Sequence, residues 1–278
     1  MRMKEDHLKN GQLKAAYNLQ MSSSNQFITH YSIHPNPGDT LTLKPHLEGI
    51  KKYYHLSPDQ LTADAGYGSE ENYTFFEDQN IEGFVKYNYF DQESKPSFEK
   101  KRPFHPNSLH YMTQEDAYIC PMGQKMNFIG QTIRKTSSGF EQRISKYQAQ
   151  NCQGCPLRPK CHKSQHNRII QINHTLNSLK KKARDKLTSE QGIQKRKNRV
   201  QEIEPVFGIL KQNHGFRRLT LRGKGKVEVE VGLHALAHNI RKCAAILNNK
   251  PPQEPLFPFV NQVATKQIDR TDNFSKLG

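Results

Sequence analysis

The sequence predicts an α/β protein, a mixed sheet with helices packed against it and a Cys-rich insertion in its middle. Three observations point there. Residues 15–87 read strand, strand, helix, strand, helix, strand, and that alternation implies a sheet covered by helices. The pattern then fails from about Asn88 to His174, where Pro, Ser, Gln, Lys and four of the five cysteines collect. Dense positive charge begins at residues 177–186, and helical periodicity returns at about residue 188.

The elements follow in chain order. AAYNLQM and QFITHYSIH (15–34) form a hairpin, with Ser22, Ser23, Ser24 and Asn25 as its turn. NPGDT stops it and starts a helix, with Asp39 or Thr40 as the N-cap. Leu43, Leu47, Ile50 and Tyr54 repeat at helical spacing, and Pro45 falls early enough to be tolerated. QLTAD (60–64) is a short strand punctuated by Gly66 and Gly68. Ser69 caps a helix from Glu70 to about Gln79, and IEGFVKY (81–87) is a further strand. A helix over 188–214 carries Val200, Ile203, Phe207 and Leu210 on one side, with a kink or a new start at Pro205. VEVEV alternates like a strand, but Val229, Leu233, Leu236 and Ile240 fit a helical face, and the length of 227–247 favours a helix. The segments expected are therefore 1–87 for the first part of the core, 88–175 for the insertion, 176–250 for the helical completion and 251–278 for a flexible tail.

Composition narrows the function. Lys and Arg number 42 against 26 Asp and Glu, a net charge of +16. Between Lys180 and Lys226 there are 15 basic residues and four acidic ones. Such a stripe gains free energy by displacing counterions from phosphates, which favours a nucleic-acid partner. A Lys/Arg run is more often a solvated face, but here Phe216 stands beside Arg217 and Arg218, and glycines allow close backbone approach. No apolar run reaches the roughly 18 residues that span a bilayer, and the N-terminus has no apolar signal core. The expectation is a cytoplasmic protein, whose cysteines serve as ligands or free thiols.

Cys120 lies in YICPMG, and Cys152, Cys155 and Cys161 lie in NCQGCPLRPKC. A C-x2-C pair lets two thiolates grip one tetrahedral ion, and Gly154 permits the sharp turn between them. Two further thiolates complete a structural Zn²⁺ site, with His162 or His166 able to replace one. Four unlinked thiols, or an iron–sulfur cluster, are the alternatives. Cys243, on the last helix, is expected to be a buried thiol.

Asp64 ends a strand, where a side chain is presented above a sheet, and Glu204 sits amid positive charge. Taken singly, the first reads as a turn residue and the second as a surface ion-pair partner. Convergent carboxylates are, however, what two Mg²⁺ ions need in phosphoryl transfer. DAGYGSEENY (64–73) resembles the second-aspartate motif of bacterial insertion-sequence DDE transposases. IEPVFGILKQNHGFRRLTLRG (203–223) resembles their glutamate motif, with Glu204 and Lys211 at the family's spacing, and VEVGLHALAHNIRK resembles their closing helix. A subgroup of that family also has a Cys-rich insertion between the second and third acids.

The resemblance implies a ribonuclease-H-like fold, with Asp64 and Glu204 holding Mg²⁺ or Mn²⁺ as the catalytic ions. It implies double-stranded DNA, transposon ends and target, as the partner, and a homo-oligomer in the DNA complex. Lys211 would then contact DNA near the cut, on the same helical face as Glu204. The family's Tyr and Arg ahead of the Glu fall at Lys197 and Val200, which do not match, and Arg196 and Arg199 stand close by as substitutes. With Arg217, Arg218 and Arg222 these are the expected DNA contacts, to phosphates rather than bases. The family's first Asp belongs on a strand upstream of the hairpin. Asp6 lies in no strand-like run, so the first strand and first acid are expected to be missing. Two rivals stand beside this reading: a non-catalytic DNA-binding remnant with a structural zinc site, and a nuclease relative that hydrolyses without joining.

Overall fold

A computed structural model describes residues 16–216 and 218–248, the backbone alone of Glu99, and the backbone of 261–268. The strands are β1 Tyr17–Ser24, β2 Phe27–His34, β3 Gln60–Gly68, β4 Glu82–Tyr87, β5 His110–Met112, β6 Ala117–Ile119, β7 Lys125–Lys135, β8 Glu141–Ala149, β9 Ile169–Ile172 and β10 Asn261–Ile268. The helices are α1 Leu43–Tyr54, α2 Glu70–Asp78, α3 Phe90–Glu93, α4 Ser97–Lys101, α5 Arg158–Cys161, α6 His174–Thr188, α7 Glu190–Gly208 and α8 Lys224–Asn248. The chain divides into two compact units, one of residues Met1–Asn88 with Ala183–Gly278, the other Tyr89–Lys182.

The first unit is built on a five-stranded mixed sheet in the order β2-β1-β10-β3-β4. β1 is antiparallel to both β2 and β10, whereas β10–β3 and β3–β4 are parallel. The β1–β2 turn is tighter than the serine run suggests. β1 continues through Ser24, and only Asn25 and Gln26 turn, with φ of 49° and 61°, the positive pair of a two-residue hairpin that matches strand twist. The serines remain extended because the buried Ser22 hydroxyl bonds His46 Nε2 at 2.7 Å. Asp39 and Thr40 do not cap α1. They lie in a 3-10 turn, Asp39–Leu41, and Thr42 precedes α1. Leu43, Leu47 and Ile50 are buried, while Tyr54 is exposed. Ser69 caps α2 by accepting from the Asn72 N–H, a bond that satisfies one donor left over in the first turn.

α7 packs over β1, β10, β3 and β4. Ile203, Val206, Phe207 and Leu210 join Leu19, Met21, Ile33, Val227 and Val231 in the core, but Val200, expected on that face, is exposed. No new helix starts at Pro205. α7 runs through it and passes into a π-helical turn, Ile209–Asn213. Proline removes the N–H that would bond the carbonyl four residues earlier. That carbonyl, Gln201 O, accepts instead from Gln26 Nε2 at 2.9 Å. α8 forms as the length argument required, on a different face. Val227, Val231, Ala235 and His238 are buried, whereas Val229, Leu233, Leu236 and Ile240 are exposed, and Cys243 is exposed rather than buried. The expected tail contains a strand, since β10 lies between β1 and β3; the rest of 251–278 is outside the described residues.

The second unit is an antiparallel sheet in the order β5-β6-β7-β8-β9. Its core joins Tyr118, Met126, Tyr147, Ala149, Cys152, Ile170 and Ile172. The Tyr147 hydroxyl donates to Asp116 Oδ1 at 2.6 Å and lies 2.7 Å from His174 Nε2. Tyr111 donates to the same Asp116 oxygen at 2.8 Å.

Candidate functional site

The strand expected over 60–64 runs on through Gly68, so Asp64 lies at the middle of β3 and not at its end, just past Ala63 where the pairing with β4 lapses until Gly68. Its carboxylate is half exposed, with Oδ1 3.2 Å from the Ala65 N–H. Glu204 lies on α7 and is also half exposed. The fold brings these two acids, 140 positions apart, onto one guanidinium. Arg199 Nη2 is 2.9 Å from Asp64 Oδ2, and Arg199 Nη1 is 3.9 Å from Glu204 Oε1. Arg199 is itself mostly buried. Arg199 and Glu204 stand five residues apart on α7, on different sides of the helix, and the long Arg199 side chain spans the gap between Glu204 and β3.

A third carboxylate lies beside Gly66, two residues farther along β3, and the sequence marks it only as a candidate cap. Asp39 Oδ1 accepts from Asn18 Nδ2 at 2.9 Å, and its Oδ2 packs against Gly66, where an added Cβ would come within 2.7 Å of it. Gly66 is thus needed for close approach. Asn18 begins a row of buried polar side chains on alternate positions of β1. Gln20 donates to Asn18 Oδ1 and accepts from the Tyr67 hydroxyl, and Ser22 meets His46. His46 continues through Nδ1 to Ser32 Oγ at 2.7 Å. Burial, then the charges of His30 and His34, hold the His46 imidazole well below its ordinary range, and burial lowers His30 to about 4. β10, between β1 and β3, contains no Asp or Glu.

Among the basic residues, Arg196 and Arg218 are partly exposed and Arg222 is exposed, while Arg217 lies outside the described residues. Lys211 is partly exposed within the π turn, whose wider winding changes its angular phase relative to Glu204 from that of a regular α-helix. The basic loop before α8 is anchored by one carboxylate. Glu230 accepts from the Thr220 N–H and hydroxyl, both at 2.7 Å, and from the Leu221 N–H at 3.0 Å. Burial pushes the Glu230 carboxyl up, but those donors together outweigh it and leave it below the usual carboxylate range.

In the second unit Cys120, Cys152, Cys155 and Cys161 line one small pocket with His162 and Arg168. Gly154, between the paired cysteines, has φ +68°, the left-handed conformation that glycine adopts without strain. The Arg168 guanidinium donates to Cys161 Sγ at 3.0 Å, and the Arg168 backbone N–H donates to Cys152 Sγ at 3.4 Å. Both ring nitrogens of His162 are buried without a hydrogen-bond partner, a costly state for a polar group unless something else satisfies it. His166 does not line this pocket. Among the described residues no three or more His, Cys, Asp or Glu side chains are gathered as a metal ion would gather them.

Residues 119–244 match the model of a family described as the transposase DDE domain. The matched segment contains Glu204 and the four clustered cysteines, while Asp64 precedes it. The match, with a mixed α/β architecture compatible with such a domain, supports a DDE transposase and implies transposition-related function and a DNA partner. No curated protein and no solved structure matches the chain. Among the described residues no helix is long and apolar enough to cross a membrane.

Proposed function

We propose that this chain is the catalytic core of an insertion-sequence DDE transposase, which cuts DNA and joins the freed 3′ end to a target. The observation that carries this reading is the meeting of Asp64 and Glu204 on Arg199. Two half-exposed carboxylates that converge from a strand and a facing helix are a fitting donor set for Mg²⁺ or Mn²⁺. The bound ions would polarise the phosphoryl oxygen and ease deprotonation of the attacking water or 3′-hydroxyl. Asp64 and Glu204 would hold them, and Arg199 would swing from the carboxylates toward a DNA phosphate. Arg196, Lys211, Arg217, Arg218 and Arg222 would track the phosphate backbone, so affinity would fall steeply with salt. The sheet order, two antiparallel pairings followed by two parallel ones, supports a ribonuclease-H-like core.

The same pattern bears on the family's first strand and its acid. The place between β1 and β3 is filled by β10, which brings no carboxylate. That observation favours a second reading, a DNA-binding protein without catalysis. A cleavage and strand-transfer assay with Asp64→Ala and Glu204→Ala separates the two. Metal-dependent products lost in both variants support the transposase. Equal product from all three proteins refutes the metal-ligand assignment, and salt-dependent DNA binding without product supports the second reading.

For the cysteine pocket we propose structural Zn²⁺. Four cysteines lining one pocket, a guanidinium against a sulfur and an unsatisfied buried imidazole support a soft, thiolate-rich site, which the side chains would have to close around the ion to form. Cys120, Cys152, Cys155 and Cys161 would hold the ion, with His162 able to replace one thiolate.

A further inference from the structure

Contacts to phosphates, the role given above to the basic residues, hold a duplex but carry no base sequence. A different part of the chain has the shape and side chains to read one. In the second unit β6 pairs with residues 125–127 of β7, and β9 pairs with residues 145–148 of β8. Beyond that root, residues 130–135 pair with 141–146. Among the described residues no further strand flanks 130–135 or 141–144. The result is a two-stranded ribbon about 20 Å long. Every residue of β7 from Gln131 to Lys135 is exposed, Ile133 at 64%. A two-stranded ribbon adds little to its own stability in water, so an exposed one of this length calls for a partner. Gly130, with φ +135°, lies at the register shift where the ribbon leaves the sheet, and a bulge there bends and twists the strand.

The two faces of the ribbon differ. Side chains alternate along each strand. Tyr147 and Ala149 are turned into the core, so Gln142, Ile144 and Lys146 lie on the other face. The register puts Thr132 opposite Ile144 and Arg134 opposite Gln142 on that same face. It carries two cations and no acid. The one acid of the ribbon, Glu141, is on the opposite face, 3.1 Å from Lys135.

We propose that the acid-free face enters the major groove of duplex DNA and gives the chain a base preference, with Arg134 reading a guanine. The major groove, about 12 Å wide, admits a two-stranded ribbon. An arginine carried into it donates two hydrogen bonds to guanine O6 and N7, and the methyl groups of Thr132 and Ile144 suit a thymine methyl beside it. Lys146 stands opposite Gly130 at the root of the ribbon, where it meets a flanking phosphate. A strand from another protein would pair with the backbone edges of the ribbon and gain nothing from an acid-free face, whereas a polyanion gains from it directly. The proposal rests on DNA as the partner, which the transposase reading implies, and not on metal-dependent chemistry.

The test is selection of preferred duplexes from a random-sequence pool by the full chain, without Mg²⁺ or Mn²⁺, which separates it from cleavage. The wild type enriches a motif that contains a guanine. Arg134→Lys keeps the charge but loses the two-pronged donor. It lowers discrimination at that guanine by about 10-fold or more, with unchanged affinity for unrelated duplexes and an unchanged thermal melt. Placing 7-deazaguanine there, which removes the N7 acceptor, weakens the wild type and leaves Arg134→Lys unaffected. A wild type that enriches no motif, or a variant that discriminates as well as the wild type, overturns the proposal. So does a variant that binds every duplex more weakly by one factor, which would make Arg134 a phosphate contact. In each of those cases cleavage that depends on Asp64 and Glu204 would still uphold the transposase reading.

Discussion

Arg199 Nη2 lies 2.9 Å from Asp64 Oδ2 while the same guanidinium is 3.9 Å from Glu204 Oε1, so one cation joins an acid of β3 to an acid of α7. Both carboxylates are half exposed, and such pairs contribute little to stability, about 0–1 kcal/mol. Arg199→Ala therefore changes the unfolding free energy by less than about 1 kcal/mol. It also removes the competitor for the two carboxylates, so Mn²⁺ affinity measured by calorimetry rises several-fold. Weaker Mn²⁺ binding in the variant would show that Arg199 organises the acids rather than standing in for the ion.

Gln26 and Pro205 form a second long-range pair. Gln26 Nε2 meets Gln201 O, the carbonyl that Pro205 leaves without an intrahelical donor, and the Gln26 N–H donates to Glu202 Oε2 at 2.8 Å. Gln26→Ala costs about 1 kcal/mol. In a Pro205→Ala background, where a helix N–H reaches that carbonyl, the same change costs less. A double-mutant cycle by urea denaturation measures the difference, and strict additivity would contradict the pairing.

The histidines of the first unit give a pH dependence with a defined sign. Burial lowers His30 to about 4, and burial with neighbouring charge lowers His46 well below 6.5. A folded-state pKa below the unfolded value means that unfolding takes up protons. The stability these groups contribute is complete above their ordinary 6.5 and declines as pH falls from there toward 4. Thermal midpoints fall across that window, and His46→Gln flattens the slope. An unchanged slope would place His46 outside the acid transition.

Metal removal tests the cysteine pocket. The expected outcome of elemental analysis is one zinc per molecule of the purified chain and none in Cys152→Ser with Cys155→Ser. Chelation lowers the melting temperature and exposes the β5–β9 sheet to proteolysis, because binding free energy in such sites is folding free energy. Zinc well below one per chain in the wild type would remove the proposal.

The regular elements were legible where local chemistry agrees with the fold. Ser69 before two glutamates marks the start of α2, and Leu43, Leu47 and Ile50 mark the buried side of α1. Three kinds of feature escaped. The β5–β9 sheet was hidden because its longest strand, KMNFIGQTIRK, is largely exposed, and because β8, which does alternate in burial, turns inward the polar Ser145 beside Tyr147 and Ala149, so no apolar alternation announces it. β10 was hidden because its position depends on pairing with β1 and β3, distant in the chain. The buried side of α8 was misassigned because the helix has two apolar faces, and the stronger periodicity belongs to the exposed one. At the candidate site Asp64 and Glu204 could be named only through the family resemblance, and the guanidinium between them could not be foreseen, since spacing along α7 does not say what faces Arg199.

The most direct measurement is anomalous diffraction from crystals soaked in Mn²⁺. The account predicts a peak bonded to both Asp64 and Glu204, with Arg199 turned away from them. Carboxylates that remain on Arg199 at saturating Mn²⁺, or an ion bound to only one of the two, would contradict it.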